Sequence, residues 1–85
     1  MLLEIYVQEG CFVCQRSLEL AGRAREAFPE MKVEIVDFAS TEGVYRSQVA
    51  ATPTYILDGE IISLGNPSPP ELEAMLAIRA THARR

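Results

Sequence analysis

The sequence predicts an α/β domain on one four-stranded mixed sheet, with elements in the order β-α-β-α-β-β-α and helices on both faces. Three observations carry that expectation. An apolar run over Leu2 to Val7 is followed by helical spacing from Cys14 and then by a second strand-like run, Met31 to Phe38. Two short apolar segments flank Asp58-Gly59, a pair suited to the two-residue turn of a hairpin. A final apolar stripe opens on Ser68-Pro69-Pro70-Glu71, which has the form of a helix start.

Leu2 to Val7 has apolar residues on both faces, Leu3, Ile5 and Val7 on one and Leu2 and Tyr6 on the other. This suits a central strand covered from both sides. Gln8-Glu9-Gly10 breaks it. In the following helix Leu18, Ala21, Ala24 and Phe28 recur at helical spacing, Leu20 broadens the stripe, and Arg16, Glu19, Arg23 and Glu26 fall largely on other faces. Pro29 marks where the helix has ended. Met31 to Phe38 alternates, Val33 and Ile35 against Lys32, Glu34 and Val36. A helix lies between these two strands, so they are expected to be parallel with a right-handed crossover.

Ser40 or Thr41 can cap a short helix carrying Val44, Tyr45 and Val49, which Gly43 weakens. The hairpin pairs Thr54-Tyr55-Ile56-Leu57 with Glu60-Ile61-Ile62-Ser63 through a type I′ turn. Gly65-Asn66-Pro67 then breaks the strand. In the last helix Ser68 is the N-cap, Pro69 takes the first helical position and Glu71 completes a capping box. Leu72, Met75, Leu76 and the stem of Arg79 form its inward stripe.

Residues 1–85 are enough for one domain with one core and short loops. A chain of this length buries only about 60–65% of its extended surface. The net charge of −4 argues against nucleic acid or an anionic membrane as the main partner. Seven of the eight basic residues are arginines, and Arg79, Arg84 and Arg85 near the C-terminus read as a frayed basic tail. No apolar stretch reaches membrane length and no basic segment precedes Met1-Leu2-Leu3, so the expected location is cytoplasmic. Thiols there are normally reduced, which makes a disulfide transient and catalytic.

The only two cysteines lie in Cys11-Phe12-Val13-Cys14, where the first strand gives way to the first helix. A thiol at a helix N-terminus faces free backbone N–H groups and the positive end of the dipole, and both favour thiolate. The second cysteine, about one turn on, can close a disulfide with the first. A zinc site needs about four ligands, and the chain adds only His82 to the two cysteines. A structural disulfide across so short a loop constrains the unfolded chain little. The motif at a strand–helix junction therefore reads as a redox site.

With Ala51-Thr52-Pro53-Thr54 before the third strand and Gly65 after the hairpin, the chain resembles the thioredoxin superfamily, in particular its small thioredoxin-like and glutaredoxin-like members. The resemblance covers nearly the whole chain and implies a minimal thioredoxin-like fold acting as a thiol–disulfide oxidoreductase that reduces protein disulfides. It implies that Cys11 is the nucleophile and Cys14 the resolving thiol, that Pro53 is cis beside the disulfide, and that Thr52 offers its backbone to a bound substrate strand. Phe12 and Val13 contribute no acid or base, and an apolar substrate contact competes with simple packing for Phe12. Tyr6, Tyr45, Tyr55 and His82 have no constellation around them and read as core or surface residues.

The departures from the family pattern matter as well. Many thioredoxins carry a buried acid six positions ahead of the first cysteine, where this chain has Ile5. Glutaredoxins usually carry a basic residue three positions before that cysteine and a Gly-Gly-acid string near the last helix; here stand Gln8 and Gly65-Asn66-Pro67. These changes weaken a glutathione pocket, so no cofactor beyond the Cys11–Cys14 disulfide is expected. Electrons are expected from a thioredoxin reductase or from glutathione, the first being favoured. Nothing requires more than a monomer. Two other readings stay open: a glutathione-dependent or iron–sulfur-carrying glutaredoxin-like protein, in which Cys11 would ligate the cluster, and a non-enzymatic interaction module on the same fold.

Overall fold

The computed structural model describes residues 1–39 and 51–83. Six elements follow one another: β1 (Leu2–Val7), α1 (Cys14–Ala27), β2 (Lys32–Asp37), β3 (Thr54–Leu57), β4 (Glu60–Leu64) and α2 (Pro69–Ala83). They form a four-stranded mixed sheet in the order β2-β1-β3-β4. The helix expected between β2 and β3, with Tyr45, lies outside the described residues.

β1 sits inside the sheet, as its two apolar faces require. It pairs in parallel with β2, Leu3 against Val33 and Ile5 against Ile35. On its other side it runs antiparallel to β3, with Ile5 opposite Tyr55. The hairpin closes through Asp58 and Gly59, at φ 48° and 86°. Two successive positive φ values are what a type I′ turn demands, and Asp and Gly are among the residues that accept them. Asp58 Oδ1 also accepts the Leu2 N–H at 2.8 Å, tying the turn to the start of β1. The β3–β4 register slips between Tyr55 and Ile56, which face Ser63 and Ile61. Ile62 is thus the extra residue of a β-bulge, and β4 extends one residue beyond the expected end, to Leu64.

The main core lies on one face of the sheet. Leu3, Ile5, Val33, Tyr55 and Leu57 from the strands meet Leu20, Ala21 and Ala24 of α1 and Leu72 and Leu76 of α2. Both described helices pack there. α2 begins as its sequence dictates: Ser68 N–H donates to Glu71 Oε1 at 3.1 Å, and Glu71 N–H donates back to Ser68 Oγ at 3.3 Å. These bonds hold the Glu71 carboxyl below its ordinary pKa. Met75 packs at the core's edge and Arg79 reaches an ion pair with Glu60. One expectation fails in α1. Leu18 is 53% exposed, while Ser17 is buried beside Leu20 and Ala21, so Leu18 lies off the inward face and Ser17 takes a place on it. No helix among the described residues is long and apolar enough to cross a membrane.

Tyr6 and Ile56, with Val36 and Phe38 against them, form a smaller cluster on the opposite face. Glu4 lies on that face of β1, alternating with Tyr6, and is only 5% exposed. Burial and the facing Glu34 carboxylate push its pKa above the ordinary 4.5, against a hydrogen bond from Tyr6. The folded chain thus holds a proton that the unfolded chain releases, and stability falls as pH rises from about 4.5 through the folded-state pKa. Glu4→Gln should remove that loss. It should raise stability at pH 7 by about 1 kcal/mol and match the parent near pH 4, read by urea unfolding across that range. A variant less stable than the parent at pH 7 would show that the fold uses the carboxylate as an anion.

Candidate functional site

β1 delivers the chain to the motif through a tight turn. Cys11 N–H donates to the Gln8 carbonyl at 3.0 Å, and Gly10 between them adopts φ 82°, a conformation a side chain would strain. Cys11 and Cys14 form a disulfide with their Cα atoms 5.3 Å apart. Cys11 is half-buried at the surface, whereas Cys14, the first residue of α1, is 6% exposed. The two sulfurs therefore differ in access, the outer one open to a partner and the inner one shielded behind it.

α1 starts without a side-chain cap. Val13 occupies the N-cap position, offers no side-chain oxygen to the first turn, and no acidic residue stands in that turn. The positive end of the helix thus meets the cysteines without a competing carboxylate. The Cys14 N–H turns back to the Cys11 carbonyl at 3.2 Å, and the Arg16 N–H to the Val13 carbonyl at 3.2 Å. Arg16 does not fold over the motif but pairs with Glu19 on its own helix.

The approach to β3 lies against the outer cysteine. Cys11 Sγ is 3.9 Å from the Thr52 carbonyl oxygen. The Thr52–Pro53 peptide is cis, as the family resemblance implies, and Pro53 is buried. The Pro53 carbonyl accepts from Gly65 N–H at 2.8 Å, so the turn after β4 braces the segment that faces Cys11. The structure thus brings Cys11, Cys14, Thr52 and Pro53 together at one end of the sheet. Phe12 and Val13 point outward beside them, 95% and 51% exposed, so packing does not account for Phe12.

Sequence reasoning missed the polar cluster under the motif. Ser17 Oγ donates to Asn66 Oδ1 at 2.6 Å, the Tyr55 hydroxyl donates to the same atom at 2.7 Å, and Asn66 Nδ2 donates to the Val13 carbonyl at 2.7 Å. Tyr55 thus has a constellation after all, and Asn66 does more than break a strand. The available signal was a tyrosine in a short, largely apolar strand, since a buried hydroxyl needs a partner. A hollow of about 500 Å³ lined by Met1, Phe28, Pro29, Met31 and Ala80 lies at the other end of β1 and α1, away from the cysteines. Among the described residues no three His, Cys, Asp or Glu side chains gather as a metal site.

The model of the thioredoxin domain family matches residues 1–77. Among solved structures, the chain is similar to thioredoxin 1 from the thermophilic eubacterium Thermosipho africanus TCF52B, with a TM-score of 0.75, 19% identity and 100% of each chain covered. Likeness at that identity speaks for the fold alone, a minimal thioredoxin fold. No curated protein sequence matches the chain.

Proposed function

The chain belongs to the thioredoxin domain family, whose fold and cysteine pair make it a thiol–disulfide oxidoreductase in general class, and we propose that it reduces protein disulfides through Cys11 and Cys14. The observation that carries this reading is the unequal access of two linked sulfurs at an uncapped helix start. In the reduced chain, the Cys11 thiolate attacks one sulfur of the substrate disulfide. A Cys11–substrate disulfide forms and the other substrate sulfur leaves as thiolate. The Cys14 thiolate then attacks Cys11 Sγ, closing the Cys11–Cys14 disulfide and releasing the second substrate thiol. Two electrons have passed to the substrate, and the donor that restores the dithiol is a thioredoxin reductase.

Access also argues for a protein-sized substrate. Cys11 lies at the surface, the Thr52 carbonyl lies beside it, and Phe12 stands free in solvent. An extended peptide segment around the substrate disulfide would contact backbone at Thr52 and Pro53 and an apolar side chain at Phe12 and Val13, which tolerates many sequences.

The test is reduction of a model protein disulfide, run once with a thioredoxin reductase system and once with glutathione and its reductase. Turnover with the first system is the expected result. Phe12→Ala should raise KM about threefold to tenfold and leave the unfolding midpoint unchanged, as expected for an exposed contact. Turnover with glutathione alone would replace the proposed donor and favour the glutaredoxin-like reading. No turnover with either would overturn the reductase reading.

A further inference from the structure

Three polar side chains from three parts of the fold converge under the cysteines. Asn66 stands in the turn between β4 and α2, Tyr55 on β3 and Ser17 on the inward face of α1. The Val13 carbonyl can only accept, so the amide nitrogen of Asn66 must face it at 2.7 Å. The amide oxygen then takes both hydroxyls as donors, Ser17 at 2.6 Å and Tyr55 at 2.7 Å. Burial pushes the Tyr55 hydroxyl above its ordinary pKa of 10.0, against the neighbouring Ser17 hydroxyl and the charge of Arg16, so at neutral pH it keeps the proton it donates.

The atom this cluster reaches matters more than the cluster itself. The Val13 carbonyl and the Cys14 N–H belong to one peptide group. A donor on the oxygen polarises that group and strengthens the N–H on its other side, and two donors on the amide oxygen strengthen the amide in turn. The Cys14 N–H turns back towards residue 11, where it meets the Cys11 carbonyl at 3.2 Å. It belongs to the uncapped helix end, whose backbone donors favour a thiolate at the motif once the disulfide opens. Resting on the thiol–disulfide reading above, we propose that Asn66, oriented by Ser17 and Tyr55, is the positioning residue that fixes the Val13–Cys14 peptide and through it supports the Cys11 thiolate.

The surroundings leave this role to neutral groups. Among the described residues, Gln8 at the end of β1, the Ala51–Pro53 approach, β3 and the Gly65–Ser68 turn carry no charge. Glu9 precedes the motif, and Arg16 of α1 is ion-paired with Glu19.

Two readings on the reduced chain test the assignment: the pH midpoint for alkylation of Cys11, and the equilibrium constant of the dithiol with glutathione. Asn66→Ala should raise the midpoint by about one pH unit and, read at a pH above both midpoints, move the equilibrium about tenfold towards the disulfide. Tyr55→Phe and Ser17→Ala each leave one donor on the amide and should give smaller shifts in the same direction. The double variant leaves Asn66 in place without its guides and should approach the shift of Asn66→Ala. A fall in the urea unfolding midpoint with both readings unmoved would make the cluster merely structural and overturn the proposal. Should Asn66→Ala not fold, the two hydroxyl variants decide by the same criterion. Neither reading uses a protein substrate or an electron donor, so a failed reductase assay with an intact Asn66 effect would count against the proposed function and not against this assignment.

Discussion

Cys11→Ser should bring reduction of a protein disulfide down to the uncatalysed rate, a loss of at least about a thousandfold, because the remaining thiol, Cys14, is only 6% exposed and out of a substrate's reach. Cys14→Ser should fail differently. Its Cys11 remains at the surface and still attacks, but the exit by intramolecular attack is gone. That exit owes its speed to the effective concentration of a thiol held one turn away, and no external thiol at millimolar concentration replaces it. The Cys14→Ser chain should therefore accumulate as a one-to-one adduct with its substrate, visible by mass and cleared by added dithiol. If Cys14→Ser turned over and Cys11→Ser formed the adduct, the roles would be exchanged and the reading of access at 6% exposure for Cys14 would be wrong.

What could be read in advance separates by range along the chain. The turn at Asp58-Gly59, the Ser68–Glu71 capping box and the cysteine pair depend on residues at most three apart, and local geometry fixes them. The parallel pairing of β1 with β2 followed from the helix between them. The Asn66 cluster did not, because its partners stand 49, 11 and 53 positions away. Which side chains meet at such distances depends on strand register, and the bulge at Ile62 shifts the register of β4 in a way no alternation pattern announces. Glu4 was hidden for another reason. An acid within an apolar run looks like a solvent-facing interruption, yet strand alternation puts it on the face of Tyr6, in the sheet's interior.

The inward face of α1 gives the second large effect. Leu18 and Leu20 are chemically identical and two positions apart, so helix propensity cannot distinguish their substitutions. Leu20 is fully buried among Leu3, Ile5, Leu72 and Leu76, whereas Leu18 is 53% exposed. Leu20→Ala should cost about 2–5 kcal/mol, the transfer energy of the lost side chain plus the cavity left in a core shared by both helices. A domain of this size holds about 5–10 kcal/mol in total, so the variant should lose a large share of its stability and unfold well below the parent in urea. Leu18→Ala should stay within about 0.5 kcal/mol. Equal losses at the two positions would return α1 to the orientation its apolar spacing suggested. Ser17 lies on the same face as Leu20, Ala21 and Ala24, and its hydrogen bond to Asn66 joins the helix to the turn after β4. The stability of these two leucine variants therefore tests, without touching a cysteine or a polar group, which face of α1 turns inward beneath the disulfide.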